Sequence, residues 1–317
     1  MAVGMPQEAE KLEITPLIDN FFDGLLPSTG QVRRSGFLAA PGKARTSLLA
    51  EHGLSFLVRV TCAGETHTVL FDFGCSPQAA LANARAMNID LSAVEALILS
   101  HGHFDHFGDL AELAGLTPAA TDRPLPLYLG REAFARRHWA GPDSSLVFMG
   151  VLEEDQVRLA SLVPHEVSTP REIVPGVLAS GEIPRQVAFE DGLPPGRVER
   201  DGEIVRDTFP GEISLYFRLR GKGLVVLTGC AHAGIINTVK HAIECTGEKR
   251  LYAVLGGFHL TGAPAEKIVA TVRALASFEP EIIAPMHCTG FTAIRDISLA
   301  LPGAFLLNSS GTTYCLS

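Results

Sequence analysis

The 317-residue chain lacks the features that would direct it to a membrane, a secretory route or a nucleic acid. No apolar run approaches the roughly 20 residues of a membrane span, and the polar first ten residues do not predict a signal peptide. The net charge of -9 argues against a broad electrostatic surface for nucleic acid or an anionic membrane. The six cysteines have no paired spacing, which is typical of a reducing cytoplasm. We therefore predict a cytoplasmic protein that acts on a small-molecule substrate. The negative net charge does not exclude an anionic substrate, because a bound metal can hold it.

Motifs of several common enzyme classes are also missing. The sequence has no Ser nucleophile elbow, Walker loop or dinucleotide-binding fingerprint, so acyl-serine, P-loop and Rossmann chemistry are disfavoured. The composition, with 46% hydrophobic and 19% charged residues, is ordinary for a globular protein with a sizeable core. No internal linker is visible. We predict one domain over residues 1–317 with a mobile N-terminal tail.

One stretch concentrates potential metal ligands. It follows the apolar run Val94–Leu99, typical of a short buried strand, and reads Ser100-His101-Gly102-His103-Phe104-Asp105-His106. Its histidines and aspartate cannot all lie on one face of a helix or strand, so we predict a tight loop that Gly102 allows to fold. Imidazoles with one carboxylate suit zinc, or iron or manganese where oxygen ligands are more numerous. A solvated loop would not need such clustering, which favours a metal site.

Three strands predicted in the C-terminal half end in further potential ligands. These ends read Thr228-Gly229-Cys230-Ala231-His232, Gly256-Gly257-Phe258-His259 and Pro285-Met286-His287-Cys288. Consecutive parallel strands bring their C-terminal ends to one edge of a sheet, where α/β folds place their sites. We interpret His287 as a ligand rather than a packed core histidine. His259 is interpreted as a ligand, a general acid or a residue that hydrogen-bonds within its loop.

Together these motifs resemble the metallo-β-lactamase superfamily, whose signature His-x-His-x-Asp-His matches residues 101–106. The resemblance implies an α/β fold, the four-layer αββα sandwich, which agrees with a β-rich first half and a β/α second half. It also implies two divalent metals, zinc with manganese or iron as alternatives. The expected ligands are His101, His103 and His232 for the first metal, and Asp105, His106 and His287 for the second.

Two supporting positions follow from the same resemblance. Many superfamily members have an aspartate that bridges the metals, and it is missing here. Either Cys230 or His232 fills that role. We favour His232, because a cysteine such as Cys230 is often simply a small apolar residue that packs in the core. Asp72, at the end of a predicted strand, matches an aspartate that supports the metal loop, or is a simple turn residue.

Further segments resemble one branch of the superfamily, the metal-dependent hydrolases that include archaeal dihydropterin ribofuranosylaminobenzene 5'-phosphate synthases. These segments are Ala50–Ser55 and Ser180–Arg185, together with the strand ends above. We predict a di-metal hydrolase in which a metal-bridging hydroxide attacks a small phosphoester, lactone or related ester. Asp105 would orient the hydroxide and His259 would protonate the leaving group. The alternatives are the synthase activity of that branch and a metal-dependent sensor without turnover.

Three further predictions concern segments without a clear hydrophobic pattern. Residues 184–211 are rich in Gly, Pro and charge, with acidic residues outnumbering arginines, and predict a solvated lid-like insertion. We also predict a helix over Arg131–Arg137 and a strand over Ala304–Asn308. His52 precedes a strand directed at the same edge as the metal loop, and its role is left open.

Overall fold

A computed structural model describes residues 5–37, 47–117, 124–141, 143–190 and 196–317. The strands in these ranges are β1 Glu8–Ala9, β2 Lys11–Ile18, β3 Val32–Arg33, β4 Ser55–Cys62, β5 Glu65–Phe71, β6 Val94–Leu99, β7 Leu125–Leu129, β8 Arg137–Ala140, β9 Leu146–Phe148, β10 Leu162–Glu166, β11 Arg171–Val174, β12 Val177–Ala179, β13 Gly196–Arg200, β14 Glu203–Arg206, β15 Leu215–Leu219, β16 Gly223–Thr228, β17 Leu251–Gly257, β18 Ile282–Met286 and β19 Thr313–Leu316. The helices are α1 Ala79–Ala86, α2 Phe104–Phe107, α3 Leu110–Ala114, α4 Glu154–Leu159, α5 Ile235–Thr246, α6 Ala265–Ser277 and α7 Phe291–Ala300. Among these, no helix has both the length and the apolarity that a membrane span requires.

The strands form three sheets. One has the order β10-β7-β6-β5-β4-β2-β19-β3, a second has the order β11-β12-β15-β16-β17-β18 with β1 beside β15, and a small third sheet has the order β14-β13-β8-β9. Strands β5, β6 and β7 run parallel. So do β16, β17 and β18, which confirms the parallel order predicted for the C-terminal strands.

Successive side chains along a strand point to opposite faces of its sheet, so each large sheet packs against an apolar layer on both faces. Phe56 and Val58 of β4 face the apolar cluster between the two large sheets, which they share with Phe217 of β15. Leu57, between them in sequence, faces the opposite side and joins the cluster under α1 and α3. On the far face, α5, α6 and α7 cover the second sheet. The order helix, sheet, sheet, helix confirms the predicted αββα sandwich.

Two local predictions are wrong. The expected helix over Arg131–Arg137 is a turn followed by strand β8. Glu132 has a φ of 64°, which a right-handed helix does not allow, and the buried Arg137 side chain donates from Nε to Asp207 at 2.8 Å. The expected strand over Ala304–Asn308 makes one isolated bridge, between Phe305 and Ile283. In both places long-range contacts outweigh local propensity.

The insertion predicted as a lid is attached at both ends. The buried Glu190 carboxylate accepts hydrogen bonds from the backbone amides of Ile236 and Asn237, and Asp207 pairs with Arg137. Between these anchors, β13 and β14 form a hairpin that extends β8. Residues 191–195 lie outside the described residues, so movement of the lid stays a prediction. Residues 1–4 of the predicted tail also lie outside them, whereas Glu8–Ala9 pair with β15.

Candidate metal centre

The predicted ligands meet where parallel strands of the two large sheets end. The loop after β6 carries the motif of residues 101–106, and its last residues form the single turn α2. The loops after β16, β17 and β18 carry His232, His259 and His287. Because the two sheets pack face to face, these ends form one cluster of histidine, cysteine and carboxylate side chains.

The first group contains His101, His103 and His232, whose donor atoms lie within 4.8 Å of one another. Nε2 of His101 lies 3.0 Å from Nδ1 of His103 and 3.2 Å from Nε2 of His232. Two nitrogens on one tetrahedral zinc would be about 3.3 Å apart, given Zn–N bonds of about 2.0 Å. Burial lowers the pKa of His103 to about 3 and that of the other two well below the ordinary value. All three are therefore neutral at pH 7, which is the form that binds a metal.

The second group surrounds Asp105. Its Oδ2 lies 3.3 Å from Nε2 of His287, 3.9 Å from Nε2 of His106 and 3.5 Å from Nε2 of His52. Burial acts to raise the pKa of Asp105, but His106 and His287 outweigh it and hold that pKa below its usual range. The carboxylate is therefore ionised. His52, whose role the sequence left open, stacks its exposed ring on His287 with 4.8 Å between centroids.

Asp72 holds the metal loop from behind. Its buried carboxylate accepts hydrogen bonds from the backbone amide and hydroxyl of Ser100, both at 2.7 Å. Its Oδ2 also lies 2.7 Å from Nδ1 of His106, which leaves Nε2 of that ring facing the centre. Burial acts to lower the pKa of His106, but Asp72 and Asp105 raise it to about 9. Asp72 thus contacts the loop in the way the resemblance implies for a supporting aspartate.

Two further buried carboxylates, which the sequence analysis did not single out, hold the later loops. Oδ1 of Asp19 accepts a hydrogen bond from the backbone amide of His287 at 3.1 Å. The carboxylate of Glu212 accepts bonds from the amides of His232 and Ala233, at 2.7 and 2.8 Å. Asp19 directly follows β2, whereas Glu212 lies three residues before β15, and no sequence pattern marks either carboxylate as buried.

The loops are also strained at the centre. Ala231, His259 and His287 have φ values of 56°, 44° and 52°. The left-handed conformation costs a residue with a side chain roughly 1–2 kcal/mol. Such strain persists where the surrounding structure fixes the backbone, and it clusters at functional sites.

The metal loop has no room for a side chain larger than that of Gly102. The φ of this glycine is not among the positive values, but a Cβ there would lie 2.2 Å from the carbonyl oxygen of Ala133. The loop therefore needs a glycine because another backbone approaches it closely.

Phe209 is a site residue that the sequence analysis missed. Its ring lies parallel to that of His232, with centroids 4.0 Å apart, and meets the His103 ring edge-on at 5.0 Å. Phe209 belongs to the insertion anchored by Asp207, so that segment contributes a wall of the centre. No local pattern marks this phenylalanine.

The donor set fits divalent cations. Nitrogens of the first group point at one another, and Nε2 of His287, which faces Asp105, is buried without a hydrogen-bond partner in the described residues. Buried polar atoms normally have partners, so the arrangement is better satisfied with ions among the side chains. Imidazole donors with one carboxylate suit zinc, and also iron or manganese.

Comparisons with known proteins agree with this geometry. The family model described as "Metallo-beta-lactamase superfamily" matches residues 49–287. The 7,8-dihydropterin-6-methyl-4-(beta-D-ribofuranosyl)-aminobenzene-5'-phosphate synthase of Methanocaldococcus jannaschii is 33% identical over 251 residues, 77% of this chain and 83% of the relative. The crystal structure of Tm1679, a metal-dependent hydrolase of the beta-lactamase superfamily, superposes with a TM-score of 0.72 and 27% identity, over 95% of this chain and 98% of that one. Zinc-bound PqqB from Methylobacterium extorquens shares the fold, with a TM-score of 0.50 and 15% identity over 95% and 99% of the two chains.

Proposed function

The chain belongs to the metallo-beta-lactamase superfamily, and from that premise we propose that it is a di-metal hydrolase acting on a small phosphoester, lactone or related ester. The observation that carries the proposal is the convergence of two donor groups, one around His101 and one around Asp105. His101, His103 and His232 would hold one cation, and Asp105, His106 and His287 the other. The cations would supply a water of lowered pKa and a Lewis acid for the phosphoryl or carbonyl oxygen.

The side chains have separate tasks in this proposal. Asp105, kept ionised, accepts a hydrogen bond from the attacking water and orients it. His259 lies beside His232, with ring centroids 4.2 Å apart. Burial acts to lower its pKa, but interaction with Cys288 raises it overall, which favours the protonated ring. It is placed to give that proton to the leaving group.

An apolar cavity beside the centre supports a substrate with an apolar or aromatic part. Its volume is about 330 Å³, within the range of small-molecule pockets, and it shares His287 with the second donor group. Phe21 and Phe291 lie on its wall, and both rings are exposed. A flat ring bound there would lie next to the proposed cations.

This cavity also favours a second candidate, a synthase. The Methanocaldococcus relative is named for a product that contains a dihydropterin and an aminobenzene group, both largely flat. The same donors would then bind phosphate and polarise it without net hydrolysis. The 33% identity supports this candidate, because it extends over most of both chains.

A substrate panel separates the candidates. Protein loaded with zinc or manganese is assayed on phosphodiesters, phosphomonoesters and lactones. It is assayed separately for joining a dihydropterin, supplied with a leaving group on its 6-methyl carbon, to a ribofuranosylaminobenzene 5'-phosphate with release of that leaving group. Hydrolysis that is lost in His103→Ala supports the first proposal, and joined product without hydrolysis supports the second. His165→Ala is the control, because His165 stacks on Tyr128 away from the donors. Metal binding with no turnover of either kind would leave the sensor alternative.

A further inference from the structure

Cys230 lies between the two donor groups rather than within either one. Its Sγ lies within 4.8 Å of donor atoms of His101 and His106, and likewise of His232 and His287. The residue is 2% exposed. The thiol is therefore close to proposed ligands of both cations.

The surroundings of Cys230 differ from those of a thiol that only fills core space. The equally buried Cys62 packs in the apolar cluster between the sheets. Cys230 belongs to none of the three apolar clusters of the described residues. Its Sγ instead lies 3.2 Å from Nε2 of His106. A sulfur and a nitrogen on one tetrahedral zinc would be about 3.5 Å apart, given bonds of about 2.3 and 2.0 Å.

The backbone on both sides of Cys230 is fixed. The Gly229 carbonyl oxygen accepts a hydrogen bond from the Gly257 amide at 2.9 Å, and a Cβ at Gly229 would lie 2.3 Å from Oγ of Ser100. On the other side, Glu212 binds the amides of His232 and Ala233. The position of the sulfur is thus set by the fold before any cation binds, as a preorganised ligand requires.

We propose that the Cys230 thiolate is a ligand shared by the two cations, a role that the sequence analysis preferred for His232. The inference rests on the proposed di-metal centre and adds its soft ligand. It leaves His232 with His101 and His103 on one cation. A thiolate favours zinc and cobalt over manganese, so the centre should discriminate among metals in that direction.

Cobalt(II) gives a direct readout, because a thiolate bound to cobalt produces a near-ultraviolet charge-transfer band that histidine and carboxylate ligands do not. Full-length wild type, Cys230→Ser, Cys230→Asp and the control Cys62→Ser are loaded with cobalt, then examined by absorption and metal analysis. Wild type and Cys62→Ser are expected to show the band with two cobalt ions per chain. Cys230→Ser should lose the band and retain cobalt at least about tenfold more weakly. Cys230→Asp should bind two ions without the band and retain manganese better, relative to zinc, than wild type.

Several results would overturn the inference. Two bound cobalt ions without a band in wild type would exclude thiolate ligation, and an undiminished band in Cys230→Ser or Cys230→Asp would assign the sulfur to another residue. Cys288 is the neighbour to test in that case, since its Sγ lies 3.6 Å from the Cys230 carbonyl oxygen. A wild type that binds neither cobalt nor zinc would instead remove the di-metal centre itself. If Cys230→Ser does not fold, the spectra of wild type and Cys230→Asp decide.

Discussion

Replacing Asp72 with asparagine is expected to weaken metal binding while leaving the fold intact. The substitution keeps Oδ1, which accepts the hydrogen bond from the Ser100 amide. It places an NH2 group where Oδ2 contacts both the Ser100 hydroxyl and Nδ1 of His106. In the metal-bound protein the His106 ring would have a single proton, on Nδ1. Asparagine offers no acceptor for it there, so the substitution favours the proton on Nε2, the nitrogen that faces the centre. Nε2 then has no lone pair for a cation.

The size of the effect follows from the type of contact. Loss of a carboxylate that orients a metal-binding histidine typically costs about 10–100-fold in metal affinity. At about 1.36 kcal/mol per tenfold change, this is about 1.4–2.7 kcal/mol. The loss should fall on the cation proposed for Asp105 and His106 more than on the one proposed for His101. One metal per chain should therefore be lost before the other.

The assay is competition with a chelator, followed by metal analysis of the protein. Asp109→Asn is the matched control, because Asp109 is equally buried but accepts hydrogen bonds from the amides of Gln78 and Leu81 at the start of α1. Both variants lose a buried carboxylate, and only Asp72→Asn alters a histidine contact. Wild-type metal affinity in Asp72→Asn, or an equal loss in both variants, would refute the assigned role of Asp72.

The same substitution has a pH signature in the metal-free protein. The pKa of His106 is raised to about 9 in the fold, against about 6.5 in an unfolded chain. The stability it contributes is fully present below pH 6.5 and is lost as pH rises through 9. Asp72→Asn removes the main charge that raises this pKa. The decline in melting temperature between pH 6.5 and 9 should therefore be smaller in that variant, and an unchanged decline would contradict the assignment.

Three other outcomes are expected. His259→Ala should keep both metals and lose about 10²–10⁴ in rate, less for substrates whose leaving group needs no proton; a fall in metal content would make His259 a ligand instead. His52→Ala should weaken retention of one cation only, measured by chelator competition, because His52 contacts the second donor group; unchanged retention would limit His52 to substrate binding. Burial lowers the pKa of His101, His103 and His232 below the unfolded value, so their contribution is present above about pH 6.5 and is lost as pH falls from there toward their lowered pKa values. The metal-free protein should melt at a lower temperature at pH 5 than at pH 7, and equal melting temperatures would contradict this.

The sequence alone was sufficient to predict the fold, and it named most of the side chains that the structure brings together. The metal motif is contiguous in residues 101–106, so its spacing can be read without knowing any distant contact. The later ligands follow apolar strands in a β/α alternation, and parallel strands must end at one edge. These are local or topological signals, which is why the αββα sandwich and the parallel β16, β17 and β18 were predicted correctly.

The contacts that shape the centre were decided only by the tertiary structure. Phe209 stacks on His232 across the hairpin of β15 and β16, and His52 stacks on His287 from a distant part of the chain. The position of Cys230 between two donor groups depends on how the sheet containing β16 faces the loop after β6. The turn at Glu132 likewise replaces a helix, since Arg137 is held by Asp207. Local propensities amount to fractions of a kcal/mol per residue, so buried pairing and sheet-to-sheet packing override them wherever distant segments meet.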